Sequence, residues 1–283
     1  CSIKIRVYGS GELVMKVNYV REYINGNWND FTGRLTAEGV GSGQQLVLNN
    51  AEGIPNGVVV LKTDGTQIIS WKANASYRLG GLSGASGTYL SGFSKNTDKN
   101  TGTWIVGGAG TDETFNGIID NRCSASGHNC TVNIVKEGAG VWRLSGANVY
   151  SGTTQVNGGT LVVNGTHSGT GAYTVNDEGT LAGKGGKVSA AVTVNKGGTL
   201  RAGDPLATAT GTFTISGKVT MNSGSTISVP LTSAGKLSIL SLTSMTLKSG
   251  VTLSLDLDAL SAPLAEGKEL KVLTLSKTTA ITV

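Results

Sequence analysis

The chain has 283 residues and a net charge of +5, with 43 glycines, 4 prolines, 14% charged and 5% aromatic residues. Abundant glycine without a three-residue period excludes collagen, and frequent apolar alternation excludes a disordered chain. The cations stand singly, with no run of three, whereas a nucleic-acid groove clusters them among aromatic platforms.

No apolar run approaches the ~20 residues of a membrane helix. No signal peptide or initiator Met is visible, so the sequence reads as a mature or excised fragment of a longer protein. Cys1 raises the reading of a lipidated bacterial lipoprotein. However, Ser2-Ile-Lys-Ile-Arg-Val-Tyr8 alternates at once, like a strand. A lipid anchor is usually followed by a flexible tether, so a cleavage boundary is the preferred reading.

Strand signals fill the chain and helix signals are nearly absent. Short alternating runs bounded by Gly, Asn, Asp or Ser predict strands at 45–48, 58–61, 67–71, 104–106, 132–135 and 141–144. Later ones fall at 160–163, 191–194, 212–215, 226–229, 245–247, 252–255 and 270–273. Between the early strands, 18–29, 77–103 and 121–129 read as insertions. Trp28, within Asn25-Gly-Asn-Trp-Asn-Asp30, is therefore expected on the surface, where an indole can stack on a sugar ring. Trp104 and Trp142 sit in strand patterns and are expected in the core.

Gly107-Gly-Ala-Gly-Thr-Asp-Glu-Thr-Phe115 looks like one copy of a calcium-binding nonapeptide, with Asp112 in the acidic position and Thr114 where a large aliphatic residue belongs. Such copies share ligands with their neighbours, so a lone copy lacks half its cage. A Gly-rich turn is preferred, with Asp112 kept as a candidate ligand contact. The carboxylates Asp98, Asp112, Glu113 and Asp120, with Arg122 nearby, do not fall on alternate positions of one strand, as a shared ion would require. His128 and His167 fall in turn-like segments without a partnered nucleophile. No catalytic residue, cofactor or metal ligand is assigned.

Cys123 and Cys130 bracket a small polar loop. A disulfide there implies an oxidising compartment and contributes roughly 2–3 kcal/mol at best. The rival reading, a metal held by Cys123, His128 and Cys130, lacks a fourth ligand.

From there a repeat emerges. Val156-Asn-Gly-Gly-Thr-Leu161 is echoed at Val175-Asn-Asp-Glu-Gly-Thr-Leu181 and Val194-Asn-Lys-Gly-Gly-Thr-Leu200, and more weakly at 221–227 and 247–253. The key apolar position falls at 161, 181, 200, 227 and 253, in steps of 20, 19, 27 and 26 residues. Uneven steps with constant strands are what a parallel coil produces when only its turns vary in length. Upstream, Phe31-Thr-Gly33, Phe115-Asn-Gly117 and Tyr150-Ser-Gly152 share an aromatic-polar-Gly step. The expected fold is an all-β parallel β-helix of about a dozen rungs, one elongated domain. Residues 1–130 would carry the longer loops and 131–283 the regular repeats. Asn157, Asn176, Asn195 and Asn222 occupy one place in successive repeats. They are expected to stack as a hydrogen-bonded amide ladder, ending where Lys248 takes that place.

The run from Trp142 to Val163 resembles the autotransporter-associated β-strand repeat of bacterial passenger regions and of large surface or secreted proteins. The resemblance implies a right-handed parallel β-helix, export, and exposure outside the cell or on its surface. The function it implies is a non-catalytic surface module, a rigid stalk or adhesin-like passenger contacting a glycan or a host or cell surface. Two alternatives stand beside it. One is an accessory module of a secreted polysaccharide lyase or glycoside hydrolase. The other is an assembly subunit that self-associates through the open ends of its coil.

Overall fold

The computed structural model describes residues 2–3, 6–18, 21–40, 43–50, 52–93, 101–123, 130–231, 236–256 and 273–275. Among them every helix or strand is a strand. Three short strands make one turn, as in Ala147–Asn148, Thr154–Val156 and Gly159–Val163. The next turn lays Thr166–His167, Tyr173–Val175 and Gly179–Gly183 in parallel on them. The turn after adds Lys187–Val188, Val192–Val194 and Thr199–Ala202. Stacking at the ~4.8 Å strand spacing builds a parallel β-helix with three faces.

The repeated apolar position is a vertical file. Leu161, Leu181, Leu200, Ile227 and Leu253 pair one turn to the next. The first three are fully buried. The longer step between Leu200 and Ile227 contains residues 203–211, which leave the coil after Thr199–Ala202 and rejoin it at Thr212–Met221. Extra residues therefore go between strands, where they cost no core contacts.

The upstream half is more regular than its sequence reads. Arg21–Ile24, inside the expected insertion 18–29, pairs with Ser2–Ile3 on one side and Gln45–Leu48 on the other. Ala75–Gly84 and Tyr89–Phe93, in the expected insertion 77–103, are likewise rungs of the coil. Alternation fails as a signal here because a charged residue takes an inward position: Arg21–Ile24 alternates in burial, with Glu22 buried beside Ile24. Ala75–Gly84 also bends, with a register shift between Leu79 and Gly81, so that one strand serves two faces. A Cβ on Gly80 would lie 2.6 Å from the backbone of Asn56, so only glycine allows this approach. Cys1, Asp98, His128 and the expected strand residues 270–272 lie outside the described residues.

The interior is a continuous apolar column containing Trp28, Trp104 and Trp142. The indole of Trp104 donates to the Ser91 carbonyl (3.0 Å) and that of Trp142 to the Leu82 carbonyl (2.9 Å). Burial thus leaves neither N–H unpaired.

Candidate functional site

Trp28 is not a surface ring. It is 0% exposed and packs edge-on against Phe31, with ring centroids 5.5 Å apart. The flanking asparagines turn the corner of the coil while the indole fills the corner from inside, because its large apolar area is worth more buried than exposed. Asp112 is exposed, and its Oδ1 accepts the Val141 N–H of the next turn at 2.7 Å. Glu113 is buried and takes both guanidinium nitrogens of Arg34, at 2.9 and 3.2 Å. Asp120 accepts from Ser91 Oγ (2.6 Å) and pairs with Arg122. The Arg122 guanidinium lies 3.7 Å over the Tyr89 ring. The described carboxylates thus go to separate structural partners. Cys123 and Cys130 are joined as a disulfide, Cα–Cα 5.8 Å, and pack against Ala73. Their sulfurs are bonded to each other rather than available as thiolate ligands.

The corner around Trp28 holds a pocket of about 330 Å³, lined by five asparagines (Asn25, Asn27, Asn29, Asn49 and Asn50) with Gly26 and Glu52. The coil builds it from two successive turns, since Asn49 and Asn50 both donate their backbone N–H to the Ile24 carbonyl. Asn49 Nδ2 donates to Asn25 Oδ1 (2.5 Å), and Asn27 Oδ1 accepts the Asn29 N–H (2.9 Å). Asn50 Nδ2 donates to the Gly53 carbonyl (2.5 Å). Asn50 Oδ1 and Trp28 Nε1 are buried with no partner among the described residues.

Along another corner, Asn176 Nδ2 donates to Asn157 Oδ1 (2.7 Å), Asn195 to Asn176 (2.8 Å) and Asn222 to Asn195 (2.8 Å). Asn222 Oδ1 is buried and unpaired among the described residues, and Lys248 follows one turn on, its N–H bonded to the Met221 carbonyl. Lysine offers no amide to continue the file. Lys248→Asn should donate to Asn222 Oδ1 and raise the unfolding free energy by about 1 kcal/mol, measured by urea denaturation. A neutral or destabilising result would contradict the ladder's role.

His167 was expected in a turn, but it lies in the strand Thr166–His167, fully buried. It occupies a file that continues as Val188 and Ile215, both core residues. That spacing was the available signal. Its Nε2 faces the Tyr150 carbonyl at 2.9 Å. A carbonyl can only accept, so Nε2 carries the proton and Nδ1 accepts from the Tyr173 hydroxyl at 2.7 Å. Tyr150 completes the cluster, its hydroxyl bonded to Thr154 Oγ1 (2.7 Å) and its ring stacked 4.0 Å from the imidazole. The neutral imidazole is therefore fully satisfied. Burial holds its pKa below the usual 6.5, partly countered by the Tyr150 carbonyl. The unfolded chain binds this proton more readily, so folding stability falls as pH falls below 6.5. The expected slope approaches 1.4 kcal/mol per pH unit at most, and it should be absent from His167→Gln in urea titrations between pH 7 and 5. Glu38, held down at about 2 chiefly by hydrogen bonds from Lys16 and Lys62, acts below that window.

Two further structural devices carried no sequence signal. Lys136 is buried at a corner with its ammonium among backbone carbonyls. Asp204, in the segment that leaves the coil, reaches back to Arg143 and Asn164.

Residues 134–163 match the passenger-associated-transport-repeat family model. The match begins at Ile134, whose partner one turn on is Thr154, and ends at Val163, whose partner one turn back is Leu144. It therefore covers more than one full turn, the smallest unit in which a coil shows its own stacking. It includes the stretch from Trp142 to Val163, and this part of the coil is a repeat of the kind associated with autotransporter passengers. No curated protein matches the chain. Among the described residues no helix is long and apolar enough to cross a membrane.

Proposed function

We propose that this chain is a rigid, non-catalytic segment of the passenger region of an exported bacterial surface protein, and that it contacts glycans at a host or cell surface. The observation that carries the reading is the passenger-associated repeat at 134–163, set in a coil whose register continues through the turns on either side. The Cys123–Cys130 disulfide favours an oxidising compartment outside the cytoplasm. The structural engagement of Asp112, Glu113 and Asp120 favours a scaffold over a catalyst. A parallel coil resists bending because every turn is bonded to both neighbours, which suits a stalk that holds a contact surface away from the membrane.

Antibody against the purified chain should label intact cells of the source organism, and the label should disappear after external protease treatment. Labelling that needs lysis would overturn the surface assignment. The purified chain should also bind members of a glycan array, and an empty array would remove the adhesive part of the reading.

A further inference from the structure

We propose that one face of the coil binds an acidic polysaccharide, whose carboxylate or sulfate groups pair with Lys196, Lys218 and Lys248. The inference rests on the glycan-contact reading above and names the class of glycan and the face that takes it. Charge is unevenly divided along the chain. Residues 1–183 hold 13 Lys or Arg and 13 Asp or Glu. Residues 184–255 hold seven Lys or Arg and a single acid, Asp204, which Arg143 already engages. Upstream, Arg6 pairs with Asp30, Lys16 and Lys62 with Glu38, Arg34 with Glu113, Arg78 with Glu137 and Arg122 with Asp120. By contrast, Lys196, Lys218 and Lys248 are exposed and make no ion pair among the described residues.

Winding brings these three lysines to one surface. Val192–Val194, Thr212–Met221 and Ile239–Leu247 stack in register, with Val192, Val219 and Met245 in the core and Thr193, Thr220 and Thr246 in one outward file. Lys218 stands two residues before Thr220, on one margin of that file, and Lys248 two residues after Thr246, on the other. Lys196 follows Asn195 of the amide ladder, two turns before Lys248 at the same corner. At ~3.3 Å per residue and ~4.8 Å per turn the patch measures roughly 13 Å by 10 Å. No Asp or Glu occurs in 189–198, 216–225 or 243–251, and Asp177 and Glu178, one turn before Lys196, mark its edge. Cations held on a rigid face with no internal anion raise the local potential toward anions. A sugar chain that carries charge on some units and hydroxyls on all matches lysines at the margins with threonine hydroxyls between them. These segments contain no aromatic ring on which a nucleic-acid base could stack. None of the exposed large apolar side chains stands among them, so a membrane would gain charge contacts alone.

The test uses the full chain with oligosaccharides from heparin (sulfated), polygalacturonate (carboxylated) and dextran (neutral), followed by calorimetry. Single-stranded DNA and phosphatidylglycerol vesicles are titrated separately as other polyanions. One variant combines Lys196→Gln, Lys218→Gln and Lys248→Gln. A comparison variant combines Lys184→Gln and Lys187→Gln, at the start of the neighbouring face. At least one acidic oligosaccharide should bind with Kd on the order of 100 μM at about 50 mM NaCl and tenfold or more weaker at about 300 mM, while dextran should not bind. The triple variant should lose tenfold or more and the double variant less than threefold. If the triple variant fails to fold, Lys218→Gln and Lys248→Gln decide singly, each expected to weaken binding about threefold. Absence of binding by both acidic probes overturns the proposal, as does equal loss in the two variants. DNA or vesicles bound as tightly as the acidic sugars also overturn it. A glycan array that shows neutral glycans bound and acidic ones blank removes this face and leaves the wider glycan reading standing. An empty array removes both.

Discussion

Lys136→Met should lower the unfolding free energy by about 2–3 kcal/mol at pH 7, although methionine matches the length of the stem and suits a buried site. Lys136 ends the strand Thr131–Lys136 and is 1% exposed. Its Nζ donates to the carbonyls of Glu137 (2.7 Å), Gly138 (2.8 Å) and Gly158 (3.2 Å). One ammonium thus ties two successive turns at a corner too tight for side chains. Gly138 there has a positive φ of 70°, and a Cβ on it would lie 2.0 Å from the Gly107 carbonyl oxygen. Methionine leaves those carbonyls without the donor, each at a cost of about 1 kcal/mol, offset in part because no charge is buried.

The pH dependence identifies the group. Burial pushes the Lys136 pKa down to about 8, against the pull of Glu137 and Asp112. Between that value and 10.5 the unfolded chain holds the proton and the folded one does not, so wild-type stability rises with pH across this range. Above 10 the buried hydroxyls of Tyr150 (pushed by burial up to about 12) and Tyr173 act in the opposite sense. Urea denaturation should therefore show the gap between wild type and Lys136→Met widening from pH 8 to pH 10. A variant as stable as wild type, or a constant gap, would sink this account.

Asp204→Ala should cost about 3 kcal/mol and loosen the segment at 203–211. Arg143 and Asp204 form a two-pronged pair, Nε–Oδ2 2.8 Å and Nη2–Oδ1 3.0 Å, with side chains 14% and 3% exposed. Burial raises the Asp204 carboxyl, but hydrogen bonds from Arg143, the Leu206 N–H and Asn164 outweigh it, and the net pKa lies below 3.8. Arg143 pairs with Val162 of the next turn, and Asn164 lies two residues beyond Val162. Val162, Val141 and Ala182 form an apolar cluster separate from the main core, with Val162 and Ala182 fully buried. The segment carrying Asp204 is tied to the coil beside that cluster through Arg143, Asn164 and the Gly183–Gly203 bridge, so alanine strands the Arg143 charge and removes two of those ties. Hydrogen exchange at 203–211 should accelerate and the urea midpoint should fall. Exchange unchanged from wild type would mean that the segment is held by something other than this pair.

How much of this was legible depended on what kind of contact each residue makes. The file Leu161–Leu181–Leu200–Ile227–Leu253 was readable from sequence because a repeating coil places one residue type at one height per turn. The upstream rungs were read as insertions because residues that do not look like core fill their inward positions, Glu22 in Arg21–Ile24 and glycines in Ala75–Gly84. Trp28 was misplaced because its polar neighbours describe the outside of a corner and say nothing of the side chain that points inward.

By itself the sequence determined the class of fold, the register of the repeats and the identity of the disulfide cysteines, because each of these follows from periodicity or from residue type. The tertiary structure alone decided which polar side chains are buried and what they hold. Lys136 meets Gly158, His167 meets Tyr150, and Arg143 meets Asp204 across intervals of 22, 17 and 61 residues. Winding brings such distant groups together one ~4.8 Å rung at a time, and no local pattern records that meeting. The corner pocket belongs to the same class: Asn25 and Asn49 lie 24 residues apart and become neighbours only when one turn is laid on the next.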